Sequence, residues 1–318
     1  LSGASRDLVM SAASRRDTPD TIFEALATYL IERWGRDPLL ANASVHRSAR
    51  DKWRRTTALR ILSRLKDPAT FDLLARAIDE TDEDVAGVAL MLLGRSTDPR
   101  AMDLLLGALV SQRHPASRVA SHIEHSPQQV PERLRGLLAH EDAVVRLWAA
   151  TLLANYPNDA VESEVIALTQ DPDSRVRKAA IQTLGRIGGD LSADSALRLM
   201  KDQFPYVRAH AVRALGELSR IDLADHVAAL LGDENWWVRL AAKESLEMMG
   251  SDVWPVLMRN LGHSDRFIRN GAAEVFQNLG VLDSLIVMEA ASDNPAQTKI
   301  AMLSRIVGAL VDEGLLRR

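Results

Sequence analysis

The sequence predicts an all-α protein, a right-handed α-solenoid of about nine or ten stacked helical hairpins. Three observations predict it: a period of about 31 residues, an apolar content of 47% with only 4% aromatic residues, and turn residues that recur at one place in each unit. A unit of this length is one helix pair, which buries its apolar faces only by stacking on its neighbours. With few aromatics the core must be Leu, Val, Ile and Ala, which suits packed helices better than a β-sandwich.

The period is read from a Val-Arg pair. VRLWAATLLA starts at Val145, VRKAAIQTLG at Val176, VRAHAVRALG at Val207 and VRLAAKESLE at Val238, each 31 residues after the last. IRNGAAEVFQ at Ile268 and TKIAMLSRIV at Thr298 each follow after 30. Towards the N-terminus VAGVALMLLG starts at Val85, RRTTALRILS at Arg54, and a weak copy, FEALATYLIE, at Phe23. Between Val85 and Val145 lie 60 residues, room for one irregular repeat around Ser117 to Ile123. The expected organisation is an N-terminal helical cap and degenerate first repeat over 1–50, then an array over 51–318 that is irregular near 111–131. Trp34 and Trp53 belong towards that cap.

Within a unit, the first helix is the apolar-periodic segment before the turn, as in DPATFDLLARAI and DPRAMDLLLGAL. Asp67-Pro68 and Asp98-Pro99 read there as N-cap and first helical residue. Short acceptors three residues before the Val (Asp51, Asp82, Asp142, Asp173, Asn235 and Asp265) fit the N-cap of the second helix. Ala58, Ala89, Ala149, Ala180, Ala211, Ala242 and Ala272 stand four after it, and Leu62, Leu93, Leu153, Leu184, Leu215, Leu246 and Phe276 eight after it. Those offsets fall within about 80° on the helical wheel, giving one buried stripe whose Ala admits a close neighbour.

These residues resemble HEAT-like repeats of the phycobilisome-lyase type, over about residues 18 to 310. The resemblance implies a solenoid whose second helices line its concave side, and it leaves function open, because such repeats serve many proteins. Deoxyhypusine hydroxylases resemble the chain in fold and bind two irons through several His-Glu pairs at equivalent positions. Here one such pair, His140-Glu141, is followed by Asp171, Asp202 and Asp233 and then by His263-Ser264. Four repeats separate the two histidines, on the order of 35 Å at the usual helix spacing, so they cannot share a metal. No chromophore-specific residue supports a bilin-lyase role. The Arg after the Val (Arg55, Arg146, Arg177, Arg208, Arg239 and Arg269, then Lys299) is expected to pair with turn carboxylates of an adjacent repeat.

Net charge is −4, yet Val45 to Arg60 carries Arg47, Arg50, Lys52, Arg54, Arg55 and Arg60 against Asp51 alone. The remainder is acidic, and the second helices mix Glu244, Glu247 and Glu274 with Lys178 and Arg213, which argues against a nucleic-acid groove. Cysteine is absent, which removes disulfides and thiolate chemistry. The chain starts on Leu1 without a signal peptide, so an N-terminal anchor is expected as one segment that could precede it, with the basic stretch at the inner face of a membrane.

Trp236 and Trp237 adjoin each other in DENWWVRLAA, and one helical face cannot bury both. Offset −1 from the Val opposes the buried stripe and holds Val144, Arg175, Tyr206, Trp237 and Phe267. Tyr206, Trp237 and Phe267 therefore form an expected exposed ridge across consecutive repeats, joined by Leu240, with Trp236 folding over the end of its hairpin. Trp148 and Arg213 complete the candidate partner-binding set, and Trp254 before Pro255 is expected to pack at the start of a first helix. An exposed apolar ridge on a folded chain marks an interaction surface.

The expected function is a non-enzymatic scaffold or adaptor without cofactor, located in the cytoplasm. It would hold a protein partner on its concave second-helix surface, a membrane-associated enzyme if an anchor has been removed. The alternative is a metal-dependent or ligand-processing enzyme built on the irregular segment 113–131, where His122 and His125 in SHIEHS flank Glu124 at a spacing that suits one metal.

Overall fold

A computed structural model of the protein describes residues 8–280, apart from 11, 14, 16–17, 45–50, 64–67, 129–130 and 157–158, together with residue 304. Every regular element among the described residues is helical. The chain divides into two compact units, Leu1–Val130 and Pro131–Arg318. The copy at Thr298 with its Lys299, and Arg47, Arg50 and Asp67, lie outside the described residues.

In the first unit, α1 (Asp20–Trp34) precedes three hairpins: α2 (Asp37–Ser44) with α3 (Asp51–Leu62), α4 (Pro68–Ile78) with α5 (Glu83–Gly94), and α6 (Pro99–Ser111) with α7 (Ala116–Glu124). The Asp82 carboxylate accepts the N–H groups of Asp84 and Val85 at 3.0 and 3.3 Å, and Asp98 accepts that of Arg100 at 2.9 Å. Each such cap is worth about 1 kcal/mol. Asp51 is the first residue of α3 instead of the residue before it.

Much of the basic stretch is spent inside this unit. Arg55 is buried on the Glu80 carboxylate and the Ala43 carbonyl, Arg60 lies 4.0 Å from the Phe23 ring centre, and Lys52 pairs with Asp84 at 2.5 Å.

The irregular segment forms the end of the third hairpin of this unit. Its centre is α7, which buries Val119, Ala120 and Ile123. A left-handed Gln112 (φ 52°) and Pro115 make the turn, where the His114 ring donates to the Ile78 carbonyl at 2.6 Å. A Cβ on Gly94 would lie 3.0 Å from the Cβ and carbonyl oxygen of His122, so α5 and α7 pack closely.

Among its described residues the second unit contains five hairpins: α8 (Pro131–Leu137) with α9 (Ala143–Leu153), α10 (Glu162–Ala167) with α11 (Ser174–Ile187), α12 (Asp190–Leu199) with α13 (Pro205–Glu217), α14 (Ala224–Ala229) with α15 (Trp236–Met248), and α16 (Trp254–Asn260) with α17 (Arg266–Asn278). The second helices pack one upon the next, α9 to α11 to α13 to α15 to α17. The sequence stripe is the seam between them: Val145, Val176, Val207 and Val238, the Ala four residues on and the Leu or Phe eight on are fully buried. Each large apolar side chain so placed contributes about 1.5–3 kcal/mol.

Two further devices tighten the seam. Glycine nine residues after the Val lets backbones meet: a Cβ on Gly185 would stand 3.2 Å from the Ala214 Cα, and one on Gly216 2.9 Å from the Ser245 Cα. The buried hydroxyls of Thr183 and Ser245 donate to the Ala150 and Val212 carbonyls of the preceding second helix, at 2.8 and 3.0 Å. Caps at Asp142, Asp173, Asn235 and Asp265 accept the N–H two residues on, at 2.7, 2.8, 3.0 and 2.7 Å. In α13 the cap position is Phe204, which offers no side-chain acceptor, and Pro205 opens the helix instead.

Candidate functional site

The second-helix edge of the second unit carries two parallel rows. The inner row is the arginine ladder. Arg146 holds Asp171 through Nε and Nη2 at 2.7 and 3.0 Å, Arg177 holds Asp202 at 2.7 and 3.0 Å, and Arg208 holds Asp233 at 2.9 and 2.9 Å. In each case Nη1 turns back to the carbonyls of its own turn, as Arg177 does to Asp171 at 2.8 Å and Pro172 at 3.3 Å. This is the bidentate fork–carboxylate geometry, which only a planar guanidinium provides. The carboxylate hydrogen bonds hold all three guanidinium groups above their ordinary pKa against the opposing effect of burial. Burial pushes Asp202 up, and the Arg177 hydrogen bonds, the Phe204 N–H and the charges of Arg177 and Arg208 together outweigh it, leaving the carboxyl below its ordinary value. Arg55 with Glu80 repeats the pairing within the first unit.

Each aspartate has a second task, since Asp171, Asp202 and Asp233 also accept the N–H two residues on, at 2.8, 2.9 and 2.8 Å. His140 and His263 stand at the same place and do this with Nδ1, accepting the N–H of Asp142 and of Asp265, each at 3.0 Å. They are turn residues, each tied to its own hairpin.

The outer row is aromatic. Tyr206 is 39% exposed, Trp237 53% and Phe267 41%. Trp236 corrects the expectation that it folds over its hairpin: it is 52% exposed and stacks on Trp237, ring centres 3.8 Å apart and planes at 27°. Both tryptophans stay outside because the first turn of α15 directs neither into the seam, and each shields one face of the other. Phe204, which the helical wheel of the second helix left out, joins the row at 37% exposure with its ring centre 5.6 Å from that of Tyr206. Its signal was an aromatic where the other repeats carry a cap. Tyr206 is fixed by a hydrogen bond between its hydroxyl and that of Ser174.

The remaining candidates are less open. Leu240 and Trp148 are half-buried. Arg213 is engaged with Glu244 of the next second helix, Nη2 to Oε2 at 3.0 Å, and Lys243 reaches Glu274 in the same manner at 2.7 Å. Trp254 starts α16 and is half-buried, its indole N–H enclosed without an acceptor among the described residues.

In the first unit, His125 Nδ1 donates to the Ser121 carbonyl at 2.8 Å, which leaves only its Nε2 for a ligand. Burial, followed by Arg118, His125 and Arg95, keeps the His122 ring below the ordinary histidine pKa. Among the described residues no three His, Asp or Glu side chains converge as a metal site would require. A cleft of about 890 Å³, absent from the sequence reading, is lined by Phe23, Arg60, Phe71, Leu74, Met91 and Arg95 among others. Asp20, Glu24 and Asp98 also line it. No helix among the described residues is long and apolar enough to cross a membrane.

Stacked helical hairpins whose second helices pack one upon the next, three consecutive pairs of them tied by an Arg–Asp rung, define an α-solenoid. The HEAT-repeat family model matches residues 130–202 and 193–277, and these residues are HEAT repeats. Solved structures agree in fold. A Kap95p structure with RanGDP is similar at a TM-score of 0.57 and 13% identity over 98% of this chain and 50% of that one. A Kap95:Nup1 complex gives 0.56 and 15% over 98% and 51%, and Kap121p 0.54 and 13% over 98% and 42%. The chain thus spans about half the length, or less, of these karyopherins. No curated protein matches it in sequence.

Proposed function

We propose that the chain is a non-enzymatic scaffold that holds a protein partner on the second-helix edge of its second unit. The observation that carries this reading is the aromatic row: Phe204, Tyr206, Trp236, Trp237 and Phe267, from three consecutive repeats, expose large rings that the seam leaves unused. Keeping such side chains in water forgoes their burial energy, and large amphipathic rings with few rotatable bonds are the residues from which interface anchors are made. The Arg208–Asp233 ion pair locks the repeat of Phe204 and Tyr206 to that of Trp236 and Trp237, which fixes the spacing of that part of the row. Two of the similar karyopherin structures contain a protein partner by their own description, which supports a binding role for this kind of array.

The test is affinity capture from source-cell extract, with solubilised membranes included so that a membrane-associated partner is retained. The unaltered chain is compared with a Tyr206→Ala, Trp237→Ala, Phe267→Ala variant of verified helicity. The expected result is a partner held by the first and lost by the second. A partner held equally by both removes this row from the interface.

A further inference from the structure

The ladder is closed at three consecutive rungs of the second unit and open at the next. Arg239 occupies the position of Arg146, Arg177 and Arg208, and its Nη1 makes the same turn contacts, to the carbonyls of Asp233 at 2.7 Å and Glu234 at 3.0 Å. The residue that should answer its Nε and Nη2 is His263, which keeps the turn hydrogen bond of the aspartates and carries no carboxylate. Among the described residues Arg239 has no ion pair. Its guanidinium instead lies 4.5 Å from the Phe267 ring centre, and that of Arg266, also without an ion pair among the described residues, lies 4.8 Å from the same ring. Two cations therefore flank one exposed ring, one repeat from the stacked Trp236 and Trp237.

We propose that this open rung receives the carboxylate of an aspartate or glutamate in a partner peptide. The acid takes the place at Arg239 that Asp233 takes at Arg208, with Arg266 beside it, while adjoining apolar side chains lie on Trp237 and Phe267. The occupant follows from charge complementarity and from the molecule's own precedent, since three copies of this fork each hold a carboxylate in bidentate fashion. This deepens the scaffold reading and rests on it, by specifying what the aromatic row binds.

The probe is a displayed library of random peptides selected on the full chain. Binders are then resynthesised with each Asp or Glu changed to Asn or Gln, or to phosphoserine, and measured by calorimetry. Selected peptides are expected to share an acidic residue beside an aromatic or aliphatic one, and the amide replacement to weaken binding about tenfold or more, the usual cost of removing a charge-assisted hydrogen-bond pair. His263→Asp, which supplies the missing internal carboxylate, is expected to weaken binding by a similar factor with no loss of melting temperature. Arg239→Gln tests the same rung from the other side.

Binders that lose affinity with Trp237→Ala but are indifferent both to their own acid and to His263→Asp would overturn the carboxylate rung and leave the aromatic row as a docking surface. Binders indifferent to all three changes, or no binders, would overturn both. A phosphoserine peptide that binds more tightly than its glutamate parent would assign the rung to phosphopeptides and overturn the proposal as stated.

Discussion

Arg208 and Arg239 stand 31 residues apart at one helical position and meet different surroundings. Arg208 is buried and held in bidentate fashion by Asp233, whereas Arg239 is half-buried, turned onto its own backbone carbonyls and the Phe267 ring. The difference arises one repeat further on, where histidine replaces aspartate. In this array the turn aspartate combines two functions, accepting a backbone N–H of its own hairpin and a guanidinium from the hairpin before. Histidine performs the first alone. A turn is therefore conserved in geometry while the tie between repeats is cut, which is how a periodic fold frees one charged side chain without losing a hairpin.

The largest expected effect tests that contrast directly. Asp202→Asn keeps an oxygen for the Phe204 N–H and leaves Arg177 buried without its counter-charge, so it should cost about 3–5 kcal/mol. Arg239→Gln, which removes no ion pair among the described residues, should cost less than about 1 kcal/mol. Urea unfolding followed by helical circular dichroism measures both. Equal losses would show that the closed and open rungs are energetically alike and would erase the comparison.

The glycines sharpen it next. Gly216, in the helix of the closed rung Arg208, faces the Ser245 backbone at 2.9 Å from an added Cβ, whereas Glu247, nine residues after Val238, instead accepts a hydrogen bond from Asn278 at 2.6 Å. Gly216→Ala should therefore cost about 1–3 kcal/mol through overpacking. Gly262→Ala, where an added Cβ meets nothing within 4 Å, should stay within about 0.5 kcal/mol. A neutral Gly216→Ala would mean that α13 and α15 separate without penalty.

The parts legible in the sequence were those that repeat. Val, Ala and Leu at fixed offsets marked the seam, Asp-Pro and Asp before the Val marked helix starts, and Arg followed by a later Asp marked the ladder, because each obeys a local rule copied several times. What escaped was what a wheel of one helix cannot show. The stacking of Trp236 on Trp237 depends on how the chain enters α15. Phe204 lies outside the helical register, and the buried face of α7 sits in a segment whose copy had lost the Val-Arg mark. The equivalence of His263 with Asp233 was visible in the alignment. Its meaning was not, because only the hydrogen bonds separate the two functions of that position.

Acid should act first on the closed repeats. Burial, then Lys178 and Arg213, lowers the His210 pKa to about 4, against about 6.5 in an unfolded chain. Between those values the unfolded state binds a proton that the folded state refuses. Stability is then fully retained above about pH 6.5 and falls as pH drops towards 4. Asp173 acts lower on the scale: hydrogen bonds from Arg175 hold its carboxyl at about 2, so its contribution is complete above the unfolded value of about 4 and is lost as pH falls through about 2. His210→Gln should flatten the stability profile between pH 4 and 6.5 and leave the lower limb unchanged. Parallel profiles for the two proteins would place the titration elsewhere.

A small effect belongs to the open end of the ladder. Trp254 begins the first helix of the hairpin that carries His263, and its indole N–H is enclosed without an acceptor among the described residues. An unsatisfied buried donor costs about 1–3 kcal/mol, while trimming the indole to a phenyl ring forfeits a comparable amount of apolar contact. Trp254→Phe should therefore change stability by less than about 1 kcal/mol, where a satisfied tryptophan would lose more. Trp254→Ala, which removes the ring as well, separates the two contributions. If Trp254→Phe proves as damaging as Trp254→Ala, the indole N–H has an acceptor in solution, and this hairpin is as fully bonded as those of the closed rungs.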